Sequence, residues 1–176
     1  MSVIAIQYYK TPFGELILGS FEDKLCLCDW RYRKMRTAID SRIQKILNAE
    51  YKEENTAVIN QAIIELEEYF QGNRTVFTIP IQLAGTDFQC EVWNALQQIP
   101  YGETMSYKEL SQLMKNEKAI RAVASANGAN ALSILIPCHR IIGSNGDLVG
   151  YAGGLPAKKK LLALEGFSSP TQLELF

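Results

Sequence analysis

The sequence predicts an α/β protein in two parts, a small N-terminal antiparallel sheet with helices followed by a mainly helical part built on a helix-turn-helix. Three observations predict this. Short apolar stretches separated by turn residues fill the first thirty positions, the signature of strands. From Ser41 to Phe70 the apolar spacing changes to the helical period of about 3.6. Past Gly85 the pattern stays helical, and Ser106-Tyr107-Lys108-Glu109 carries a Ser-x-x-Glu helix start.

Taken in order, Ser2 to Thr11, Glu15 to Gly19 and Lys24 to Trp30 read as three strands joined by turns at Pro12-Phe13-Gly14 and Phe21-Glu22-Asp23. Together they form an antiparallel meander. The basic run Arg31 to Arg36 has no period and is expected to be a solvated loop. Ala57 to Phe70 is the clearest helix of the first part, with Ile59, Ala62, Ile63, Leu66, Tyr69 and Phe70 on one stripe and Glu65, Glu67 and Glu68 facing away. Gly72 ends it. Arg74 to Pro80 reads as a further strand, and Ile81 to Gly85 as the connection, so the expected division is 1–85, 86–167 and a tail of 168–176.

Phe88 to Gln97 opens the second part as a helix with Val92, Trp93 and Leu96 inward. The helix that starts at Ser106 presents Tyr107, Leu110 and Met114 on one face, and after the turn Lys115-Asn116-Glu117 a second helix runs from about Lys118 to Asn127. Helix, tight turn and helix make the unit that many proteins place against a DNA groove, although helical hairpins also serve as plain packing. The second helix is rich in alanine, with Arg121 as the long cation among Ala119, Ala122, Ala124 and Ala126. Arg121 reads either as a solvated side chain on a packed helix or as a cation inserted into a base stack. Lys158 to Leu164 reads as the last helix, capped by Gly166. Glu165 at its C-terminal end opposes the helix dipole, which points to a local partner, and His139 is the candidate.

The chain has 176 residues, 47% of them hydrophobic, with a formal net charge of −1, so neither part is strongly basic. Any binding to nucleic acid must therefore rest on few phosphate contacts. The N-terminus lacks a signal-peptide pattern and no stretch is long enough to span a bilayer, which places the protein in the cytoplasm, away from the membrane. The four cysteines, Cys26, Cys28, Cys90 and Cys138, are then expected as reduced thiols. No metal and no cofactor are expected.

The chemistry concentrates in Ile134-Leu135-Ile136-Pro137-Cys138-His139-Arg140-Ile141-Ile142. A cysteine and the single histidine of the chain sit side by side between apolar runs read as buried strand, where Pro137 interrupts any ladder. Neighbours on a strand point to opposite faces, so a direct contact needs a backbone turn and a relayed one needs a water. An imidazole near a cysteine favours the thiolate, which is the nucleophile. An ordinary buried cysteine beside a core histidine is the alternative.

The run Ile136-Pro137-Cys138-His139-Arg140-Ile141-Ile142 resembles the active-site signature of the O6-alkylguanine-DNA alkyltransferases, which repair alkylated guanine by moving the alkyl group onto a cysteine. The resemblance covers the second part of the chain and, more faintly, the first. It implies a ribonuclease H-like first domain and a winged-helix-like second one. It makes Cys138 the alkyl acceptor, His139 its base through a water, and Glu165 the acid that orients the histidine. Tyr107 matches the tyrosine that assists flipping of the nucleotide and donates a proton toward guanine. On the DNA side, Arg121 matches the arginine finger, Asn130 the hinge residue and Tyr151 the lid of the base pocket, with Ala122 and Arg140 also expected at the DNA. Ala152 departs from the family, where many members have a serine, and an N-terminal zinc site cannot be assembled.

The implied function is stoichiometric transfer of a methyl or other alkyl group from O6-alkylguanine in double-stranded DNA by a monomer, with O4-alkylthymine left open as a further substrate. A Cys-His-Glu hydrolase and a non-catalytic lesion-binding or regulatory helix-turn-helix module are the rival readings. The apolar end Gln172-Leu173-Glu174-Leu175-Phe176 resembles the short peptide by which bacterial polymerases and repair proteins dock on the replication sliding clamp.

Overall fold

In the computed structural model, residues 2–167 are described, and they divide into two compact units: Met1–Thr86 with Ala131–Leu135, and Asp87–Asn130 with Ile136–Phe176. Gln172 to Phe176, with their clamp-like motif, lie outside the described residues.

The first unit is built on a sheet of order β3-β2-β1-β4, with β1 spanning Ser2–Thr11, β2 Gly14–Phe21, β3 Lys24–Trp30 and β4 Ala49–Glu53. The meander is present as expected, since β1 pairs antiparallel with β2 and β2 with β3. The fourth strand makes the sheet mixed, because β4 runs parallel to β1 from Ser2↔Ala49 to Ile6↔Glu53. Ala-Glu-Tyr-Lys-Glu carries only two inward positions, Ala49 and Tyr51, too short an alternation to mark a strand by itself. It becomes a strand at the sheet edge because backbone pairing, which side chains do not encode, is available there.

Helix α1 runs Arg36–Leu47, starting five residues before the expected Ser41, and buries Ile39 and Ile43. Helix α2 spans Ala57–Phe70 as its period predicts, and its first turn is capped by Thr56, whose side chain accepts from the Ile59 N–H. Thr56→Ala is expected to lower stability by about 1 kcal/mol, read as a lower denaturant midpoint at unchanged slope.

Three expectations fail in this unit, each because a tertiary partner overrides a local pattern. Glu65 is fully buried on α2 instead of facing away, and its carboxylate accepts from the Thr78 N–H at 2.6 Å and pairs with Arg74 at 3.2 Å. Arg74 to Pro80 forms no ladder; an isolated bridge to β3 falls just past it, between Leu25 and Ile81, with the Leu25 N–H donating to the Pro80 carbonyl and the Gln82 N–H to the Leu25 carbonyl. Arg33 and Arg36 are not solvated but converge on the fully buried Asp29, at 3.2 and 3.1 Å. Arg31, in contrast, remains partly exposed, stacks over the Tyr8 ring and pairs with Glu15.

Cys26 and Cys28 alternate with Leu25 and Leu27 on β3, and all four are buried. Burial pushes the Cys26 thiol up to about 12 and the Cys28 thiol higher still, so both are protonated core residues at neutral pH.

The second unit opens with α3, Asp87–Leu96, which buries Val92, Trp93 and Leu96. The Trp93 indole N–H donates to the Ala126 carbonyl at 2.9 Å, which ties α3 to the helix-turn-helix. That motif consists of α4, Tyr107–Leu113, a turn through Glu117–Ala119, and α5, Ile120–Gly128. The expected capping box is formed: Ser106 accepts from the Glu109 N–H at 3.0 Å, and the Glu109 carboxylate accepts from the Ser106 N–H. Two short strands, β5 Met105–Ser106 and β6 Ile141–Ile142, pair in parallel and set the segment after Cys138 beside the start of α4. Helix α6, Leu155–Leu164, closes the unit, with Glu165 at its C-cap and Gly166 just beyond at φ 86°. No helix among the described residues is long and apolar enough to cross a membrane.

Candidate active site

Pro137 determines the local geometry. Without an N–H it cannot continue a ladder, and the chain folds into a tight 3₁₀ turn over Cys138–Arg140, closed by the Arg140 N–H on the Pro137 carbonyl. The strand expected around Cys138 is therefore replaced by a turn, and the opposite-face rule for neighbouring side chains no longer applies. Cys138 is 4% exposed and His139 is fully buried.

His139 is held from one side. Its Nε2 lies 2.7 Å from the Glu165 carboxylate, which assigns the ring proton to Nε2 and leaves Nδ1 as the basic nitrogen. Nδ1 is buried and has no hydrogen-bond partner among the described residues. Burial lowers the pKa of His139 against the raising influence of Glu165, so the ring is neutral at physiological pH.

Glu165 is the hub of the site. Besides His139 it accepts from Arg140 Nε at 2.7 Å, Arg140 Nη2 at 3.1 Å and the Gly102 N–H at 3.3 Å. Burial raises its pKa, but His139 and Arg140 more than offset that, so the carboxyl is held well below the usual carboxylate range. A side chain at position 102 would place Cβ 2.9 Å from the Glu165 carbonyl oxygen at φ +80°, and only glycine fits there.

Arg140 corrects an expectation. Predicted at the DNA, it is 7% exposed, with its guanidinium committed to Glu165 and to the Ile99 carbonyl at 2.6 Å. A cation cannot remain buried without partners, and the misplaced helix-end carboxylate supplies them.

The remaining predicted residues fall into two groups. Asn130 is buried, and its amide donates to the Ile136 carbonyl at 2.9 Å and to Cys138 Sγ at 3.3 Å, so it reaches the sulfur itself. Tyr107 is half-buried at the start of α4; burial raises its pKa, the Cys138 charge adds to that, and the Asn127 amide opposes both. The Tyr151 ring meets the His139 ring edge-on at 6.4 Å. Arg121 and Ala122 stand apart from this cluster on the exposed side of α5.

Sequence reasoning missed Gly102 and Lys158. The Gly102 N–H is a donor to Glu165, and Lys158, the first of three successive lysines, is fully buried; no local pattern in the sequence marks either role.

The chain as a whole is similar to known proteins. Residues 87–167 match the DNA-binding domain of 6-O-methylguanine DNA methyltransferase, and residues 4–83 its ribonuclease-like domain. The methylated-DNA–protein-cysteine methyltransferase of Methanosarcina acetivorans is 40% identical over 90% of this chain and 96% of its own length. The constitutive enzyme of that name from Bacillus subtilis is 40% identical over 89% and 93%. The crystal structure of Mycobacterium tuberculosis OGT in complex with DNA superposes with a TM-score of 0.79 at 37% identity, covering 98% of this chain and 99% of that one. On these grounds, the chain belongs to the methylated-DNA–protein-cysteine methyltransferases, the O6-alkylguanine-DNA alkyltransferase family.

Proposed function

We propose a residue-level account of the reaction that this family performs, the direct reversal of alkylation on guanine in DNA. Cys138 is the alkyl acceptor. His139 Nδ1, through a water, takes the thiol proton, and Glu165 holds the ring in the required tautomer and stabilises the imidazolium that forms. The Asn130 amide, 3.3 Å from Sγ, stabilises the negative sulfur and aims it. The thiolate attacks the alkyl carbon, the S–C bond forms as the bond to O6 breaks, and the electron pair leaves on guanine. Tyr107 gives that leaving base a proton.

The product is a thioether with no polarised carbonyl for water to attack, so each molecule acts once. The same feature disfavours a Cys-His-Glu hydrolase, which needs repeated turnover and an oxyanion hole. The observation that carries the reading is the 2.7 Å contact of His139 with a carboxylate that stays ionised, beside a sulfur already contacted by an amide donor.

Duplex DNA containing alkylated guanine is the partner. Helix α5 is the element to lay against it, with Ala122 allowing close approach and Arg121 entering the stack where a base is turned out. Tyr151, half-exposed beside His139, is placed to close over that base. The protein acts in the cytoplasm as a monomer, because a one-to-one reaction requires no second copy.

Mixing the protein with O6-methylguanine DNA should add the mass of one methylene, confined to the peptide that contains Cys138. Unmodified Cys138 after loss of the lesion would refute the assignment. For the tail, deletion of Gln172 to Phe176 should leave transfer unchanged and abolish binding to a bacterial sliding clamp in a pull-down. Equal clamp binding with and without the tail would remove that role.

A further inference from the structure

We infer that Lys158 is the fixed cation of this site, a positioning residue that holds the segment leading to Tyr151 and supports the anionic sulfur of Cys138. The inference rests on the assignment of Cys138 as acceptor. Lys158 lies on the first turn of α6, followed by Lys159, which is half-buried, and Lys160, which is exposed, yet its own side chain is fully buried. A buried ammonium survives when its N–H groups find acceptors. Nζ donates to three carbonyls: those of Ile141, Val149 at 2.7 Å and Gly150 at 3.3 Å.

These acceptors belong to two separate stretches. Ile141 is the first residue of β6, directly after the Cys138–Arg140 turn, and Val149 and Gly150 immediately precede Tyr151. One side chain thus links the turn that carries the thiol to the loop that carries the expected pocket lid. Carbonyl oxygens neutralise no charge, so the ammonium remains a net positive centre inside the unit.

The titratable groups that interact with it are Cys138 and His139, with Arg140 and Glu165 on the far side of His139's hydrogen bond. Arg140 and Glu165 are paired with each other, and Lys158 and Arg140 both disfavour protonation of His139, so the ring stays available as a base. Cys138 is the group whose negative charge favours the protonated lysine, against burial, which lowers the Lys158 pKa to about 8. Favouring is mutual: what an anionic sulfur gives the ammonium, the ammonium gives the sulfur.

The test uses Lys158→Met, which keeps length and removes charge, with Lys158→Arg as the conservative variant. Iodoacetamide, needing no DNA, reads the thiolate of Cys138 as a function of pH. For Lys158→Met we expect about tenfold slower alkylation of Cys138 at pH 7, with the midpoint of the profile about one unit higher, as expected for loss of a nearby cation. Lys158→Arg should recover part of that midpoint. A profile superimposable on that of the unmodified chain would overturn the inference.

Since Lys158→Met could fail to fold, a second measurement uses the natural sequence: NMR titration of the lysine side-chain nitrogens before and after methylation of Cys138. Conversion to a thioether should lower the Lys158 pKa, and an unchanged value would overturn the inference on its own. Loss of the assignment itself would look different, with Cys138→Ala still accepting the alkyl group from DNA.

Discussion

Cys138→Ala is expected to abolish alkyl transfer while DNA binding stays within about twofold, since Cys138 is 4% exposed and its removal deletes little accessible surface. Two of the other thiols are poorly suited to substitute. Cys26 and Cys28 are buried in β3, and burial holds both of their pKa values well above neutrality, where thiolate is scarce. Single-turnover transfer from methylated DNA, with mass spectrometry of the peptides, measures the effect. Residual transfer above about one part in a thousand would remove Cys138 as the nucleophile.

Glu165→Gln should have the second-largest effect, because Glu165 serves two buried groups at once. The substitution removes the anion that pairs with Arg140 inside the unit, and breaking a buried pair costs about 3–5 kcal/mol. It also removes the orienting partner of His139, and transfer should slow by about 10²-fold or more. Guanidinium denaturation and single-turnover kinetics, measured separately, resolve the two losses.

The acid side of the stability profile carries the same signature. Glu165 titrates lower when folded than when unfolded, so its contribution is complete above the unfolded carboxylate range near ~4.3 and fades as pH falls through it. His139, whose folded pKa is also lowered, adds a loss that begins as pH falls below ~6.5, where the unfolded chain binds a proton that the buried ring refuses. Glu165→Gln should therefore flatten the lower arm and deepen the upper one, since Glu165 also raises the pKa of His139. An unchanged lower arm would show that Glu165 is not the group that titrates there.

Much of the site was readable because its chemistry lies in contiguous residues. Pro137, Cys138 and His139 adjoin one another, so the break in the ladder, the candidate nucleophile and the candidate base could be read together, while the turn that joins them could not. Glu165 could be placed because a carboxylate at a helix C-terminus conflicts with the dipole, and that local conflict pointed to a distant partner. The capping box at Ser106 and the span of α2 were equally legible, being set by neighbours within one turn.

Arg140 was misread for the opposite reason. Its position beside the reactive pair suggested a surface contact, and nothing within several residues shows that it turns inward to Glu165, 25 positions away. Lys158 is the same case, a lysine among lysines whose burial depends on carbonyls 8 to 17 positions earlier. Asp29, Arg33 and Arg36, with Glu65 and Arg74, show that charged runs on one strand or helix become interior networks when another element closes over them.

Taken alone, the order of residues determined the helices, the antiparallel meander and the helix-turn-helix and singled out the candidate nucleophile, because periodicity, caps and the chemistry of Cys138 and His139 act over a few residues. The tertiary structure decided which charges are buried and what they face: β4 against β1, Arg140 on Glu165, and Lys158 on three carbonyls. The physical reason is desolvation. A charge leaves water only where partners already wait, and those partners come from segments far away in the chain.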